Sequence, residues 1–207
     1  MELISPIQQW DEQLFVLINQ KLASASLDGL MSILSSKYTF IFYYLATVIW
    51  FVFRFKNKFY IPLLTALLAF ALADSISAKI FKPSFKRLRP AFEENLNPRL
   101  PDGLPGGKFG FVSSHAANTF ALYPLLLFLS FTNGPKKPCT IERSKYRFCF
   151  SIVVLISLFV CYSRVYLGVH YPGDVIGGAL LGIIIGESIK QVYLRYVWNK
   201  WIDTKSI

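Results

Sequence analysis

His170 and Asp174 stand four residues apart in a chain that has only two histidines. A carboxylate at that spacing can hold the imidazole Nδ1–H, leaving Nε2 with a free lone pair able to attack phosphorus. The other histidine, His115, follows Ser113 and Ser114 where an apolar run begins. Serines at a helix start can cap it while the free backbone N–H groups form an anion site, and a histidine in that first turn can give a proton to a leaving oxygen. Three cations complete the set: Lys82, then Arg89 ahead of Pro90, then Arg164 after Ser163. Lysine offers a compact point charge and arginine a planar fork for two phosphate oxygens. The chemistry these types suggest is phosphoryl transfer. Each block also has a plainer reading: a basic segment touching anionic lipid, a capping pair beside an interfacial histidine, and a helix start pairing Arg164 with Asp174 while His170 stands by.

The elements that must position these residues are apolar. With 54% hydrophobic and 16% aromatic residues in 207 and a positive mean hydropathy, the chain is too apolar for an ordinary soluble domain. Runs of roughly 18 residues can cross a hydrocarbon core, and five stretches suit this: Tyr38–Phe55, Phe59–Phe81, Ser114–Phe131, the shorter Phe148–Tyr162, and Gly173–Trp198. Ahead of them, Trp10, Leu14, Phe15, Leu17 and Ile18 share a helical face against Asp11, Glu12, Gln13 and Asn19. That pattern predicts an interfacial helix within residues 1–36, with a sixth span as the alternative. The expected fold is an all-α polytopic membrane bundle of about five to six spans, forming one domain over residues 1–207 with its reactive motifs between 82 and 174.

Alternating spans put both histidines, Ser163, Arg164, Asp174 and the stretch from Lys82 to Val112 on one side of the membrane. The opposite side collects Arg54, Lys56, Lys58, Lys136, Lys137, Arg143, Lys145, Arg147, Arg195, Lys200 and Lys205. Short basic loops stay in the cytoplasm, so the histidine side should face the periplasm or cell exterior. The net charge of +10 flanks apolar runs instead of forming a polar stripe, which favours anionic lipid over nucleic acid as partner. Cys139, Cys149 and Cys161 have no ligand-like spacing, arguing against a disulfide framework and a structural zinc site. The amino terminus lacks the features of a signal peptide, so later apolar segments are expected to direct insertion.

Taken together, the three blocks resemble the type 2 phosphatidic acid phosphatase superfamily, which also contains the vanadium-dependent haloperoxidases. Its first motif, Lys-x6-Arg-Pro, matches at Lys82, Arg89 and Pro90. The second, usually Pro-Ser-Gly-His, matches at Ser113 and His115, with Val112 for proline and Ser114 for glycine; a backbone N–H at Ser114 can still bind phosphate. The third, Ser-Arg-x5-His-x3-Asp, matches at Ser163, Arg164, His170 and Asp174. The resemblance implies a phosphohistidine on His170, a proton from His115 to the leaving group, and water activated by His115 for release. Lys82, Arg89, Ser113, Ser114 and Arg164 would neutralise the equatorial oxygens. So many donors can replace a metal, and neither metal nor other cofactor is expected.

A membrane lipid phosphate or diphosphate is the substrate this implies, in the cytoplasmic membrane of a bacterium. Undecaprenyl diphosphate leads, with phosphatidylglycerol phosphate and the phosphates of lipid A as competitors. The rival from another class is a transporter or lipid-binding protein using the same basic pocket without chemistry; a haloperoxidase is the enzymatic runner-up, disfavoured by the spans. The stretch Asn97–Gly110 reads as a lid or head-group loop, or as a plain connection. Gly178, Gly182 and Gly186 form a small-residue stripe expected to pack within the monomer, although the oligomeric state is left open. Asp74 and Glu187 read as buried or interfacial polar contacts outside the chemistry.

Overall fold

Apolar runs broken by basic or proline-bearing turns satisfy their backbone polar groups as helices; the computed structural model describes residues 6–131 and 140–202, which form helices joined by turns and one long loop. Helices α1 (Pro6–Val16), α2 (Ala25–Ser35), α3 (Lys37–Phe55), α4 (Tyr60–Ile76), α5 (Lys82–Phe85), α6 (Ser114–Ala121), α7 (Tyr123–Phe131), α8 (Thr140–Tyr166) and α9 (Pro172–Tyr193) follow one another. A π-helical turn, Ser77–Phe81, joins α4 to α5, and another, Leu194–Ile202, extends α9. Lys56–Phe85 and Pro172–Trp198 are each long and apolar enough to cross a membrane. Phe42 and Phe53, 71% and 80% exposed, are apolar side chains turned outward, as lipid-facing positions of a membrane bundle are.

All five expected spans are helical, with altered ends. The third is divided at Leu122 into α6 and α7, and the fourth reaches from Thr140 to Tyr166, well past the expected limits. The last helix starts at Pro172, whose fixed φ and missing N–H suit the first helical position. Lys136, Lys137, Cys139 and Lys205 lie outside the described residues; of Arg54, Arg143, Lys145, Arg147, Cys149 and Lys200 only the backbone is described. Cys161 is a buried free thiol.

The glycine stripe fixes the centre of the bundle. A Cβ at Gly178 would lie 2.4 Å from the Ser113 carbonyl oxygen, one at Gly182 2.3 Å from that of Ala117, and one at Gly186 2.1 Å from that of Ala121. The glycines at four-residue spacing on α9 thus receive the main chain of α6 at matching intervals. As expected, the stripe packs inside the monomer. Ala69 and Ala73 of α4 join Ala117, Ala121 and Ile185 around this contact, while Phe51, Leu122, Leu125, Leu129 and Tyr193 fill a separate core elsewhere in the bundle.

The N-terminal segment departs from the expectation. It contains two helices, and its inward face is mixed: Asp11 and Asn19 are buried on either side of Phe15, whereas Ile7, Trp10 and Gln13 are exposed. Three residues at i, i+4 and i+8 form one helical face, and here that face meets the rest of the protein. Phe15 stacks edge-on against Tyr171 with ring centroids 5.5 Å apart. In a protein whose apolar surface faces lipid, polar groups find partners by facing the bundle.

Candidate active site

Asp174 sits in the first turn of α9, where one carboxylate oxygen, Oδ2, accepts the Tyr171 N–H at 3.1 Å and so caps the helix from within. The same oxygen lies 3.3 Å from His170 Nδ1. This bond is long but correctly placed to hold the Nδ1–H tautomer, which presents Nε2 as the lone pair. The carboxylate's other oxygen accepts Arg87 Nη1 at 2.9 Å. Asp174 and His170 are both almost fully buried. Burial, and then the charges of Arg164, Arg89, Lys82 and Arg87, hold the His170 pKa well below its ordinary value. The imidazole is therefore neutral at pH 7, the form a nucleophile requires.

The turn before His170 is set by the end of α8. Gly168 takes a positive φ of 75°, and a Cβ there would lie 2.7 Å from the Arg99 carbonyl oxygen, so glycine alone fits both demands. The His170 N–H then returns to the Arg164 carbonyl at 3.2 Å. Arg164 itself, on the last turn of α8, donates through Nη1 to Ser35 Oγ. Its Nε and the hydroxyl of Ser113 are buried without a hydrogen-bond partner. Such groups cost about 1–3 kcal/mol each unless something meets them, and both are donors. An oxyanion with several acceptor oxygens can satisfy the two at once.

Lys82 opens α5, and Arg89 comes from the segment after it, which is shaped by two short pairings. The Arg89 N–H donates to Lys108 O at 2.9 Å and the Gly110 N–H to Arg87 O at 2.8 Å, while Arg89 Nε donates to Phe109 O at 3.1 Å. Burial lowers the Arg89 pKa, with Asp174 opposing the shift. Arg87 is also opposed by burial, but Asp174 and Asp11 outweigh it and raise its pKa. Gly110 closes this side of the site: a Cβ would stand 2.7 Å from Asp174 Oδ2, 3.1 Å from Arg89 Cγ and 3.5 Å from His170 Nδ1.

His115, in the first turn of α6, lies within electrostatic reach of His170, Arg164 and Lys82, and its ring hydrogen-bonds the Ser35 backbone. Neither serine caps the helix through its side chain as the sequence suggested. Ser113 at the cap position makes no such bond, and the Ser114 hydroxyl is paired with Ser77 Oγ at 2.9 Å. The anion-binding capacity of this end therefore rests on its backbone N–H groups and Ser113 Oγ. Asp74 accepts Asn118 Nδ2 at 3.0 Å, and Glu187 pairs with Lys190 at 2.7 Å. Among the described residues no group of three or more His, Cys, Asp or Glu could hold a metal ion.

Sequence reasoning passed over Arg87, Asp11, Asn19, Asp28 and Ser35. Arg87 Nη2 donates to Asp11 Oδ2 at 2.5 Å, and Asp11 Oδ1 accepts the Gly173 N–H at 2.6 Å. Asn19 accepts the Arg99 N–H at 2.8 Å and donates to Arg99 O at 2.9 Å and to Tyr166 O at 2.7 Å. Arg99 also pairs with Asp28 at 3.0 Å, and Ser32 donates to Asp102 at 2.5 Å. The first part of the loop read as lid or connection, as far as Asp102, is thus tied to α2 and to the turn after α1, and its far end is paired with Arg87 and Arg89.

The model of the PAP2 superfamily matches residues 62–198. A lipid A 4'-phosphatase of Porphyromonas gingivalis is 32% identical over 179 residues, which cover 85% of this chain and 70% of that protein. A lipid A 4'-phosphatase of Bacteroides thetaiotaomicron is 36% identical over 118 residues, 56% of this chain and 46% of that protein. In structure, the chain resembles the transmembrane PAP2-type phosphatidylglycerolphosphate phosphatase of Bacillus subtilis with a TM-score of 0.68 at 23% identity, covering 92% of this chain and 87% of that one. It resembles Aquifex aeolicus LpxE with a TM-score of 0.56 at 26% identity, over 86% and 93% of the two chains.

Proposed function

Because the chain belongs to the PAP2 superfamily and is a membrane lipid phosphatase of that family, we propose that it removes a phosphate monoester from a lipid A-type glycolipid through a phosphohistidine on His170. The observation that carries the chemistry is the buried His170–Asp174 pair, 3.3 Å apart, beside the unpartnered donors Ser113 Oγ and Arg164 Nε. The two lipid A 4'-phosphatases support the substrate class, and move the preference away from undecaprenyl diphosphate.

Nε2 of His170 attacks phosphorus as the bond to the sugar oxygen breaks, and His115 protonates that oxygen. Asp174 holds Nδ1–H and stabilises the positive charge that builds on the ring. His115 next takes a proton from water, whose oxygen attacks phosphorus while the N–P bond breaks, releasing inorganic phosphate. Lys82, Arg89, Arg164, Ser113 and the N–H groups at the start of α6 balance the equatorial oxygens. These charges act where divalent ions do in other phosphatases, so activity should survive chelation; its complete loss, restored by one divalent metal, would sink this part.

The test is phosphate release by wild type and His170→Ala from lipid A, phosphatidylglycerol phosphate and undecaprenyl diphosphate, with products weighed by mass spectrometry. Lipid A losing one phosphate is the expected leading product, and His170→Ala should abolish it. Undiminished hydrolysis by His170→Ala refutes the nucleophile. Preferred undecaprenyl diphosphate turnover overturns the substrate, and binding without hydrolysis by wild type favours a non-catalytic protein.

A further inference from the structure

The His170–Asp174 bond hangs from a closed circuit whose firmest links belong to a residue outside the three motifs. Asp11, on α1, accepts Arg87 Nη2 at 2.5 Å through one oxygen and the Gly173 N–H at 2.6 Å through the other. Arg87 returns through Nη1 to Asp174 Oδ1 at 2.9 Å, and Asp174 follows Gly173 directly in the chain. One carboxylate therefore grips both the guanidinium that holds Asp174 and the turn of backbone that carries it. We propose that Asp11 is a positioning residue for the nucleophile, acting through Arg87 and Gly173 to keep Asp174 aimed at His170 Nδ1.

Charge gives the contact a second purpose. Arg87 alone would neutralise Asp174 and compete with the imidazole for it. With Asp11 present, two carboxylates share one guanidinium, and the cluster keeps one net negative charge for the imidazolium-like ring formed during transfer. Arg87 also lies over the Tyr171 ring, 4.2 Å from its centroid, which fixes the plane of the fork. Without Asp11, the freed Nη2 can turn onto Asp174 and make a bidentate pair. That rotation draws Oδ2 away from a histidine it already holds at 3.3 Å. The hydrogen bonds of the Asp11 carboxylate go to Arg87 and the Gly173 N–H, so its effect on the site runs through them.

The proposal rests on the phosphatase reading, so its test has an arm that needs no substrate. Asp11→Asn keeps the volume and an oxygen for the Gly173 N–H but removes the charge facing Arg87. In protein carrying 15N-labelled histidine, assigned with a His115→Gln sample, wild-type His170 should show a protonated Nδ1 and a bare Nε2. Asp11→Asn should mix the two tautomers, and Asp11→Glu should restore the wild-type pattern in part. In turnover, Asp11→Asn should lower kcat by roughly 10- to 100-fold with little change in KM, since the loss concerns orientation of one charged hydrogen bond. A wild-type tautomer and kcat in Asp11→Asn overturn the proposal. So does a parallel loss of kcat, KM and thermal stability with the tautomer unchanged, which marks a purely structural contact. Wild-type protein inactive on every lipid phosphate sinks the phosphatase reading instead and leaves the tautomer result to stand alone.

Discussion

Gly110→Ala offers the most direct measure of how tightly the proposed nucleophile is held. The added methyl would lie 2.7 Å from Asp174 Oδ2, about 0.7 Å inside the 3.4 Å at which ordinary contact begins. Arg89 Cγ, at 3.1 Å, blocks retreat on another side, and the Gly110 N–H is tied to Arg87 O at 2.8 Å. The carboxylate is the side-chain group nearest the methyl, and a shift of that size breaks a bond to His170 that is already 3.3 Å long. Losing a hydrogen bond to a charged group costs about 1.5–3 kcal/mol, which corresponds to roughly a 10- to 150-fold drop in kcat. Phosphate release from a lipid monophosphate in mixed micelles reads the change, with circular dichroism melting to verify the fold. Gly107→Ala is the matched control, since a Cβ there meets nothing within 4 Å, and it should stay within about twofold of wild type. A folded Gly110→Ala enzyme with activity within threefold of wild type would refute the reasoning.

Three further expectations concern charge, packing and placement. Histidine NMR should find the His170 titration midpoint well below 6.5, because burial and four nearby cations oppose its protonation; the unfolded chain then takes that proton first, so folding stability should fall as pH drops below about 6.5, and a midpoint at or above 6.5 contradicts this. Gly182→Ala puts a methyl 2.3 Å from the Ala117 carbonyl oxygen and 2.9 Å from the Ala121 nitrogen, forcing α6 and α9 apart at a cost of about 1–3 kcal/mol; an unchanged melting temperature would show that the two helices do not bear on each other there. Cysteine placed at Asn95 in a cysteine-free background should react with a membrane-impermeant maleimide in cells whose inner-membrane surface is accessible from outside, whereas cysteine at Asn57 should not; the reverse pattern overturns the outward-facing site.

Much of the site could be read along the chain because its chemistry is written in residue types whose spacing survives folding. His170 and Asp174 at four residues had to share a helix start, and helices alternating through a membrane had to return Lys82, His115 and Arg164 to the same end. What escaped were groups whose role depends on which way a helix faces. Asp11 and Phe15 of α1 and Asn19 in the π-helical turn after it form one buried stripe, but in a membrane chain an apolar face marks lipid as readily as core, so periodicity gives the stripe without its direction. Arg87 hid for another reason: between Lys82 and Arg89 it reads as one more basic residue, and only its two carboxylate partners distinguish it. Ser113 and Ser114 were the converse case. Their place at a helix start suggested capping, but the pairing of Ser114 with Ser77 depends on a neighbour 37 residues away.

The fit of α9 glycines against α6 has a consequence for how such a protein can change. His115 rides on α6, while His170 and Asp174 are attached to the start of α9, so the gap between the proposed proton donor and the proposed nucleophile is gauged by main chain resting on main chain. No rotamer adjusts that gauge, and a thicker or thinner bilayer, which tilts and shifts outer helices, has little purchase on it. The outward faces of α3 and α4 carry no such constraint. Descendants of this chain can therefore retune those faces to new acyl chains while the bond-breaking geometry is inherited intact.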